Sequence, residues 1–411
     1  MHILFLTENF PPETNASATR VFERARYWVQ WGHRVTILTC APNFPQGTVY
    51  PGYRNRWYQT EEMEGIRVVR VKTFIAANEG FSARIVDFLS FMVTAFIAGL
   101  FQKRPDVVVA TSPQFFAAVA GWALAGVRRK PFVFELGDLW PASITAVGAM
   151  RDSAMLRMLE RLELFLYRRS AAVVALTYAF RDDLVSRGID TDKIHVVRNG
   201  VDLPRYGRRE PDPDLVRSLD LENSFVIGYI GTHGMAHALN RVLDSAELLL
   251  RTDSARKIRF LFVGTGAARK ALESEAHERQ LGNVVFVPVQ PKERVAEYWA
   301  LCDVALVHLK DSPVFAGVIP SKIFEAMGMG LPVVLAAPQG EAWDIIASEG
   351  AGVCVPAESP QDLANAILAL AEDPERLAAL AKVSGAAAPR YSREKQAREM
   401  VRVLQHVFTK Q

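Results

Sequence analysis

Residues Pro320–Val334 read PSKIFEAMGMGLPVV, a short helix running directly into a buried strand. Pro320 suits the first turn, Ser321 can cap, Gly330 can close the helix, and Val333–Ala336 supply an apolar run of strand length. On that helix Ser321, Lys322 and Glu325 fall three or four residues apart and share a face, while Ile323, Phe324 and Met327 turn toward a core. A hydroxyl, an ammonium and a carboxylate at one helix start suit a ribose and a phosphate. An amphipathic helix with a surface ion pair would show the same pattern, so the surrounding chain must decide.

Working outward, the same helix-then-strand unit recurs. Ile3–Leu6, Val35–Thr39, Val107–Ala110, Phe132–Leu136, Val173–Leu176 and Ile194–Val197 are short apolar runs without alternation. Fully buried parallel strands read this way, which predicts a doubly wound sheet with helices on both faces. A polar, Pro- and Arg-rich piece follows to about Asp214 and reads as a domain linker. The pattern then restarts with Phe225–Ile230, Ile258–Val263, Val284–Val287, Val304–His308, Val333–Ala336 and Gly352–Val355. The expectation is an α/β protein of two such domains, 1–200 and 201–392, with their strand C-terminal ends and loops across a shared cleft. A terminal helix at 393–411, apolar at Met400, Val401, Val403, Leu404 and Val407, is expected to pack back onto the first domain.

Composition fits this. The 411 residues are too many for one ordinary core, and half are hydrophobic with 23% charged, which excludes a disordered chain. Cys40, Cys302 and Cys354 lie too far apart in sequence for a metal-ligand spacing and read as reduced thiols beside strands. The opening run Met1–Leu6 is too short for a signal peptide and reads as a first strand. Residues 1–200 carry 24 Lys and Arg against 18 Asp and Glu, and the remainder 24 against 27, so the first half could rest on an anionic surface.

The loops after the first strand of each half carry the chemistry. In the second half Ile230 runs into Gly231-Thr232-His233-Gly234 with a helix from about Leu239, a place where backbone amides can approach a phosphate. In the first half, the loop ending Asn15-Ala16-Ser17 leads into a helix bearing Arg20 and Arg24, with small residues where a ligand could come close. Val263-Gly264-Thr265-Gly266 is half of a dinucleotide fingerprint and lacks its third glycine and downstream acid. Asp190-Thr191-Asp192 and Asp212-Pro213-Asp214 have metal-binding spacing but fall in connecting loops, where turn formation explains them; no metal is inferred. Phe88–Phe101 is 14 residues without a charge, short of the roughly 20 needed to span a bilayer, and is flanked by Arg84, Lys103, Arg104 and Arg128-Arg129-Lys130. It suits either a buried helix or one partly sunk in the membrane interface, and the basic flanks favour peripheral membrane contact.

Gly32-His33-Arg34-Val35, Asn199-Gly200-Val201-Asp202, Gly264-Thr265-Gly266 and PSKIFEAMGMGLPVV, in that order over nearly the whole chain, resemble the family 4 retaining glycosyltransferases of the GT-B fold. Ala41-Pro42-Asn43-Phe44-Pro45-Gln46-Gly47, Asp138-Leu139-Trp140-Pro141 and Gly231-Thr232-His233-Gly234 resemble the branch holding bacterial O-antigen and capsule transferases of the N-acetyl-L-fucosamine transferase type. The resemblance implies two Rossmann-like domains facing a cleft, the second binding a nucleotide-sugar, most simply a UDP-sugar. It assigns donor contacts to Glu325, Ser321, Gly231, Thr232, Gly234, Gly264, Gly266 and Asn199. Glu325 matches the second glutamate of the family's E-x7-E motif, the ribose ligand.

Three departures shape the mechanism. The motif's first glutamate is replaced by Gly317, the basic pair after the first strand of the second domain by Thr232 and the region of His237, and the acceptor-site histidine by Gly137. Lys322 with His233 and the Gly231–Gly234 amides is then expected to meet the diphosphate charge, and Asp138, or less well Glu135, to orient the acceptor hydroxyl. The expected activity is sugar transfer with retention from a nucleotide diphosphate to a lipid-linked or glycan acceptor at the cytoplasmic face. A sugar-nucleotide 2-epimerase on the same architecture and a non-catalytic sugar-nucleotide binder remain open.

Overall fold

The computed structural model describes residues 1–44, 46–75, 81–112, 115–139, 154–252 and 257–410; Pro45 and Trp140-Pro141 of the motifs above lie outside the described residues. The chain divides into two units, Met1–Asn199 with Arg393–Gln411, and Gly200–Ser392.

The first unit holds strands β1 (His2–Leu6), β2 (Arg34–Cys40), β3 (Tyr58–Met63), β4 (Ile66–Val71), β5 (Val107–Thr111), β6 (Phe132–Leu136), β7 (Ala172–Ala175) and β8 (Ile194–Val196). They form one sheet in the order β3-β4-β2-β1-β5-β6-β7-β8. Strands β1, β5, β6 and β7 are buried along their whole length, as apolar runs covered on both faces must be. The hairpin β3-β4 is antiparallel and was not legible as a pair of strands. Its edge strand, Tyr-Gln-Thr-Glu-Glu-Met, alternates exposed and half-buried residues and carries no apolar run, and the turn is made by Glu64 and Gly65, both left-handed.

Helix α1 (Ala16–Gln30) starts at Asn15, whose side chain accepts from the Ala18 amide at 2.9 Å, a cap of the usual kind. Helix α2 runs Phe81–Leu100 and helix α3 Phe115–Arg128. The uncharged run in the sequence understated α2: the helix has 20 residues, about 30 Å at 1.5 Å per residue. By length and composition alone Ala83–Leu100 would cross a membrane. The helix instead packs one face inward, with Phe91 and Ala95 fully buried.

The second unit holds β9 (Ser224–Ile230), β10 (Lys257–Val263), β11 (Val284–Val287), β12 (Val304–His308), β13 (Val333–Ala336) and β14 (Gly352–Val355). All pair in parallel, in the order β11-β10-β9-β12-β13-β14. Numbered within the unit this is 3-2-1-4-5-6, the dinucleotide-fold order, whose ligand crevice lies where the order reverses, at the C-terminal ends of β9 and β12. Helix α4 (Lys322–Met329) connects β12 to β13. Gly330 ends it in the left-handed conformation, but Ser321 has helical dihedrals and makes no side-chain cap. The capping expected of Ser321 is therefore corrected: a hydroxyl on an already helical residue does not fold back over the N-terminal amides.

Helix α5 (Arg393–Thr409) belongs to the first unit. Met400 and Leu404 are buried in its core beside Trp28, whose indole donates to the Ala397 carbonyl at 2.9 Å. Cys40 and Cys302 are buried thiols and Cys354 is half-buried. Asp190 and Asp212 accept from the amides of Asp192 and Asp214 as caps of short helices.

Candidate functional site

At the crevice of the second unit the loops after β9 and β10 are laced together by their backbones. The Gly231 amide donates to Val263, the His233 amide to Thr265 and the Ala268 amide to His233, each at 2.9 Å. Gly264 and Gly266 sit at φ +146° and +156°, and a Cβ on them would lie 1.9 Å from the Gly231 carbonyl oxygen and 2.5 Å from that of His233. These two positions must be glycine for the loops to touch. The half fingerprint thus shapes the neighbouring turn and need not contact a ligand itself. Thr232 and Gly234 are left on the accessible side of that turn, exposed and half-buried.

Lys322 comes to this turn from α4. Its side chain is 8% exposed and its Nζ has no hydrogen-bond partner among the described residues. The ammonium sits 3.8 Å above the centroid of the Tyr229 ring and would be 3.3 Å from a Cβ at Gly231. Tyr229 Oη donates to the Thr232 carbonyl at 2.8 Å, which fixes the floor below the lysine to the turn beside it. Burial pulls the Lys322 pKa down to about 7, with Glu325 opposing. A buried ammonium with a π face and no hydrogen-bond acceptor is only part-solvated by the protein, and such a group draws in an anion.

The expectation that His233 adds positive charge is corrected. Its ring is fully buried, packed against Tyr229, Phe262 and Phe286. Burial, then Arg269 and Lys322, lowers its pKa to about 4, so it is neutral near pH 7 and serves the site through its backbone. His237 and His308 clasp each other across the β9/β12 gap, each Nδ1 against the other's carbonyl oxygen at 3.2 and 2.7 Å. Burial depresses them to about 3 and about 4. The imidazoles near Lys322 are consequently neutral, and the charge that acts on it is the Glu325 carboxylate.

Glu325, one turn along α4, is half-buried and accepts from Trp299 Nε1 at 3.4 Å. Ser321 is half-buried at the same helix start. Gly317 follows the short helix Pro313–Ala316 and presents no side chain where the resemblance expects an acid. Tyr229, His308 and Trp299 went unread because each sits in or beside an apolar segment and looks like core; only the pairing of β9 with β12 brings them to the crevice. Arg269 donates to the carbonyls of Gly264 and Val287 and braces the second loop.

The corresponding end of the first unit is occupied by its own charges. Glu135 is fully buried and accepts from Arg20 Nε at 3.0 Å and Arg24 Nη2 at 2.6 Å. Burial pushes its carboxyl up, but the two guanidinium groups outweigh that and hold it below the usual range. Neither Glu135 as an acceptor-orienting group nor Arg20 as a ligand contact survives this, since both are buried and ion-paired with each other. Gly137 stands where a histidine was expected because a Cβ there would lie 2.6 Å from the Ser112 carbonyl oxygen and 2.9 Å from Arg20 Nη2. Its amide donates to Ser112 Oγ at 2.9 Å, and the next residue, Asp138, is half-buried on the same loop. Asn15 is the cap of α1, Ala16 is exposed and Ser17 half-buried.

Asn199, expected at the donor, is corrected to a tie within the first unit: it accepts from Arg393, which also pairs with Glu23 at 2.7 Å. Among the described residues no three His, Cys, Asp or Glu side chains gather as a metal site.

With this geometry in place, comparison with known proteins is decisive on the family. Residues 17–205 match the family description Glycosyltransferase Family 4, and residues 213–384 match Glycosyl transferases group 1. The chain is a family 4 glycosyltransferase. WcaI of Escherichia coli (strain K12), named as a colanic acid biosynthesis glycosyl transferase, is 24% identical over 89% of this chain and 91% of its own. A D-inositol 3-phosphate glycosyltransferase of Rhodococcus opacus (strain B4) is 32% identical over 54% of this chain and 49% of its own. Among solved structures, sucrose-phosphate synthase of Thermosynechococcus elongatus superposes with a TM-score of 0.79 over the whole of both chains at 18% identity. Anabaena Alr3699/HepE, solved with UDP and glucose, superposes at 0.72 over 98% of this chain and 99% of its own at 19% identity. The fold of this glycosyltransferase is therefore GT-B.

Proposed function

We propose that this glycosyltransferase moves an N-acetylated sugar from a UDP-linked donor, with retention, to a lipid-linked or glycan acceptor in the building of a cell-surface polysaccharide. The observation that carries the reading is the unpartnered Lys322 ammonium beside the Gly231 turn, at the strand-order reversal of a 3-2-1-4-5-6 sheet. A diphosphate placed there meets a cation that the free protein leaves without an acceptor, together with the accessible side of the Thr232–Gly234 turn. Glu325 would accept from the ribose hydroxyls, each charge-assisted bond contributing about 1.5–3 kcal/mol. The names of WcaI and of a relative from Bacillus subtilis, the teichuronic acid biosynthesis glycosyltransferase TuaH, favour a polysaccharide product. HepE, solved with UDP-glucose, favours UDP.

Gly317 occupies the first motif position and offers no carboxylate there as a nucleophile. Reaction on one face follows: the bond from the anomeric carbon to the departing phosphate oxygen breaks, the acceptor oxygen bonds to that carbon on the same side, and its proton passes to the phosphate. Lys322 stabilises the charge that grows on the phosphate, and Asp138 orients the acceptor hydroxyl. A nucleotide-sugar donor and a lipid-linked acceptor together favour work at the cytoplasmic face of the membrane. A thermal-shift series with UDP-, GDP- and ADP-sugars tests the donor, because only a bound ligand raises the melting temperature; a preference for GDP or ADP would overturn the UDP assignment. UDP release that depends on an added acceptor separates transfer from epimerisation and from binding without turnover.

A further inference from the structure

Helix α2 presents an apolar stripe to the outside of the first unit. Val86, Leu89, Val93, Ile97 and Phe101 recur at helical spacing, and Val93, Ile97 and Phe101 are 50%, 49% and 79% exposed. At 100° per residue Val86, Val93 and Ile97 fall within about 20° of one line, with Leu89 about 60° to one side, and Phe101 follows one residue past the helix end. The opposite face, with Phe91, Ala95 and Ala98, is buried, and Gly99 is packed against Leu124 of α3. From 84 to 104 the sequence has one acid, Asp87, and it is buried.

Two aromatic groups extend the stripe sideways. The Phe74 amide donates to Ser90 Oγ on α2 at 2.7 Å, which holds that exposed ring beside the helix. Tyr58 Oη accepts from Gln102 Nε2 at 3.2 Å, placing Tyr58 and the 73% exposed Trp57 by the helix end. Lys72 lies 4.9 Å above the Trp57 ring, and Lys103, Arg104 and Arg129 are exposed around the same end. Arg128 is excluded from this rim because it donates to the carbonyls that end α2.

We infer that this face seats the first unit on an anionic bilayer, with α2 lying in the plane of the interface. An apolar centre, amphipathic aromatic rings and cations at one border match hydrocarbon, interfacial and headgroup layers in turn. The helix is long enough to cross, but crossing would strip Phe91 and Ala95 from the core and carry Asp87 into hydrocarbon, so it lies flat.

The inference deepens the proposed function by saying where the enzyme meets a lipid-borne acceptor, and it stands on residues outside the donor unit. The test is sedimentation of the full-length protein with vesicles of phosphatidylcholine alone and of the same lipid with about one third phosphatidylglycerol. Binding at least tenfold tighter to the anionic vesicles, weakened by salt, is expected. Val93→Glu with Ile97→Glu is expected to abolish it, and Lys103→Glu with Arg104→Glu to remove the anionic preference, while the UDP-induced thermal shift stays in place. Absence of vesicle binding, or equal binding by the V93E/I97E pair, overturns the inference and leaves the donor reading intact. Self-association by analytical ultracentrifugation that disappears in V93E/I97E would make the face a contact between copies and overturn it as well. Loss of the UDP shift in the wild-type protein would strike the proposed function instead.

Discussion

The two sheets of this enzyme reach their ends with opposite electrostatic designs. In the first unit Arg20 and Arg24 both donate to Glu135 Oε1, so a buried carboxylate meets opposite charge. In the second, Lys322 is buried to a similar degree and meets a ring, a glycine turn and neutral histidines, with the Glu325 carboxylate acting on it without a hydrogen bond to its Nζ. The first arrangement holds its opposite charges paired without a ligand. The second is costly until an anion arrives, and that cost is what ties binding to function.

Deleting each charge should therefore move stability in opposite directions. Glu135→Ala strands two buried guanidinium groups and is expected to cost about 3–5 kcal/mol, lowering the melting temperature by roughly 10 °C; an unchanged melting curve would mean that the pairs do not form. Lys322→Met removes an unpaired charge and fills its space, so the melting temperature should rise by a few degrees while kcat drops by about 10²–10³. A variant that melts lower, or turns over normally, would erase the contrast between the two ends.

The pH dependence sharpens the same comparison. The folded protein holds the Lys322 proton less tightly, near pH 7, than the unfolded chain, near about 10.4. The unfolded state then binds more protons between those values, so the free enzyme gains stability as pH rises through that window. Donor binding runs the other way, because the diphosphate needs the ammonium. Calorimetry should show UDP affinity falling from pH 7 to pH 9 in the wild type, and a flat profile in K322M. Below about pH 6.5 the depressed values of His233, His237 and His308 act together, and stability should fall with pH as the unfolded chain takes up protons that the buried rings refuse. The smallest effect belongs to Trp299→Phe, which removes a long bond to Glu325: donor KM should rise two- to threefold, about 0.5 kcal/mol, with kcat kept.

Much of this was legible without coordinates, for reasons visible in particular residues. The strands announced themselves because both faces of a parallel sheet are buried, so β1, β5 and β9 had to carry long apolar runs, broken only at an end by His2, Thr111 and Ser224. The exposed β3 had no such obligation and passed unseen. Lys322 and Glu325 could be paired from spacing alone, since a helix fixes which neighbours share a face. His233 was misjudged because charge is a property of surroundings: the same imidazole is a cation in water and a neutral spacer between Phe262 and Phe286. Asn199 and Arg20 were misplaced because their partners, Arg393 and Glu135, lie 194 and 115 residues away in sequence.

By itself, then, the order of residues determined the two wound sheets and the helix that carries the lysine and the glutamate, because periodicity and turn chemistry act over a few neighbours. Only the tertiary structure decided which buried charges are answered and which is left open. That depends on burial and on partners brought from distant parts of the chain, and desolvation acts on a side chain only once the packing around it exists.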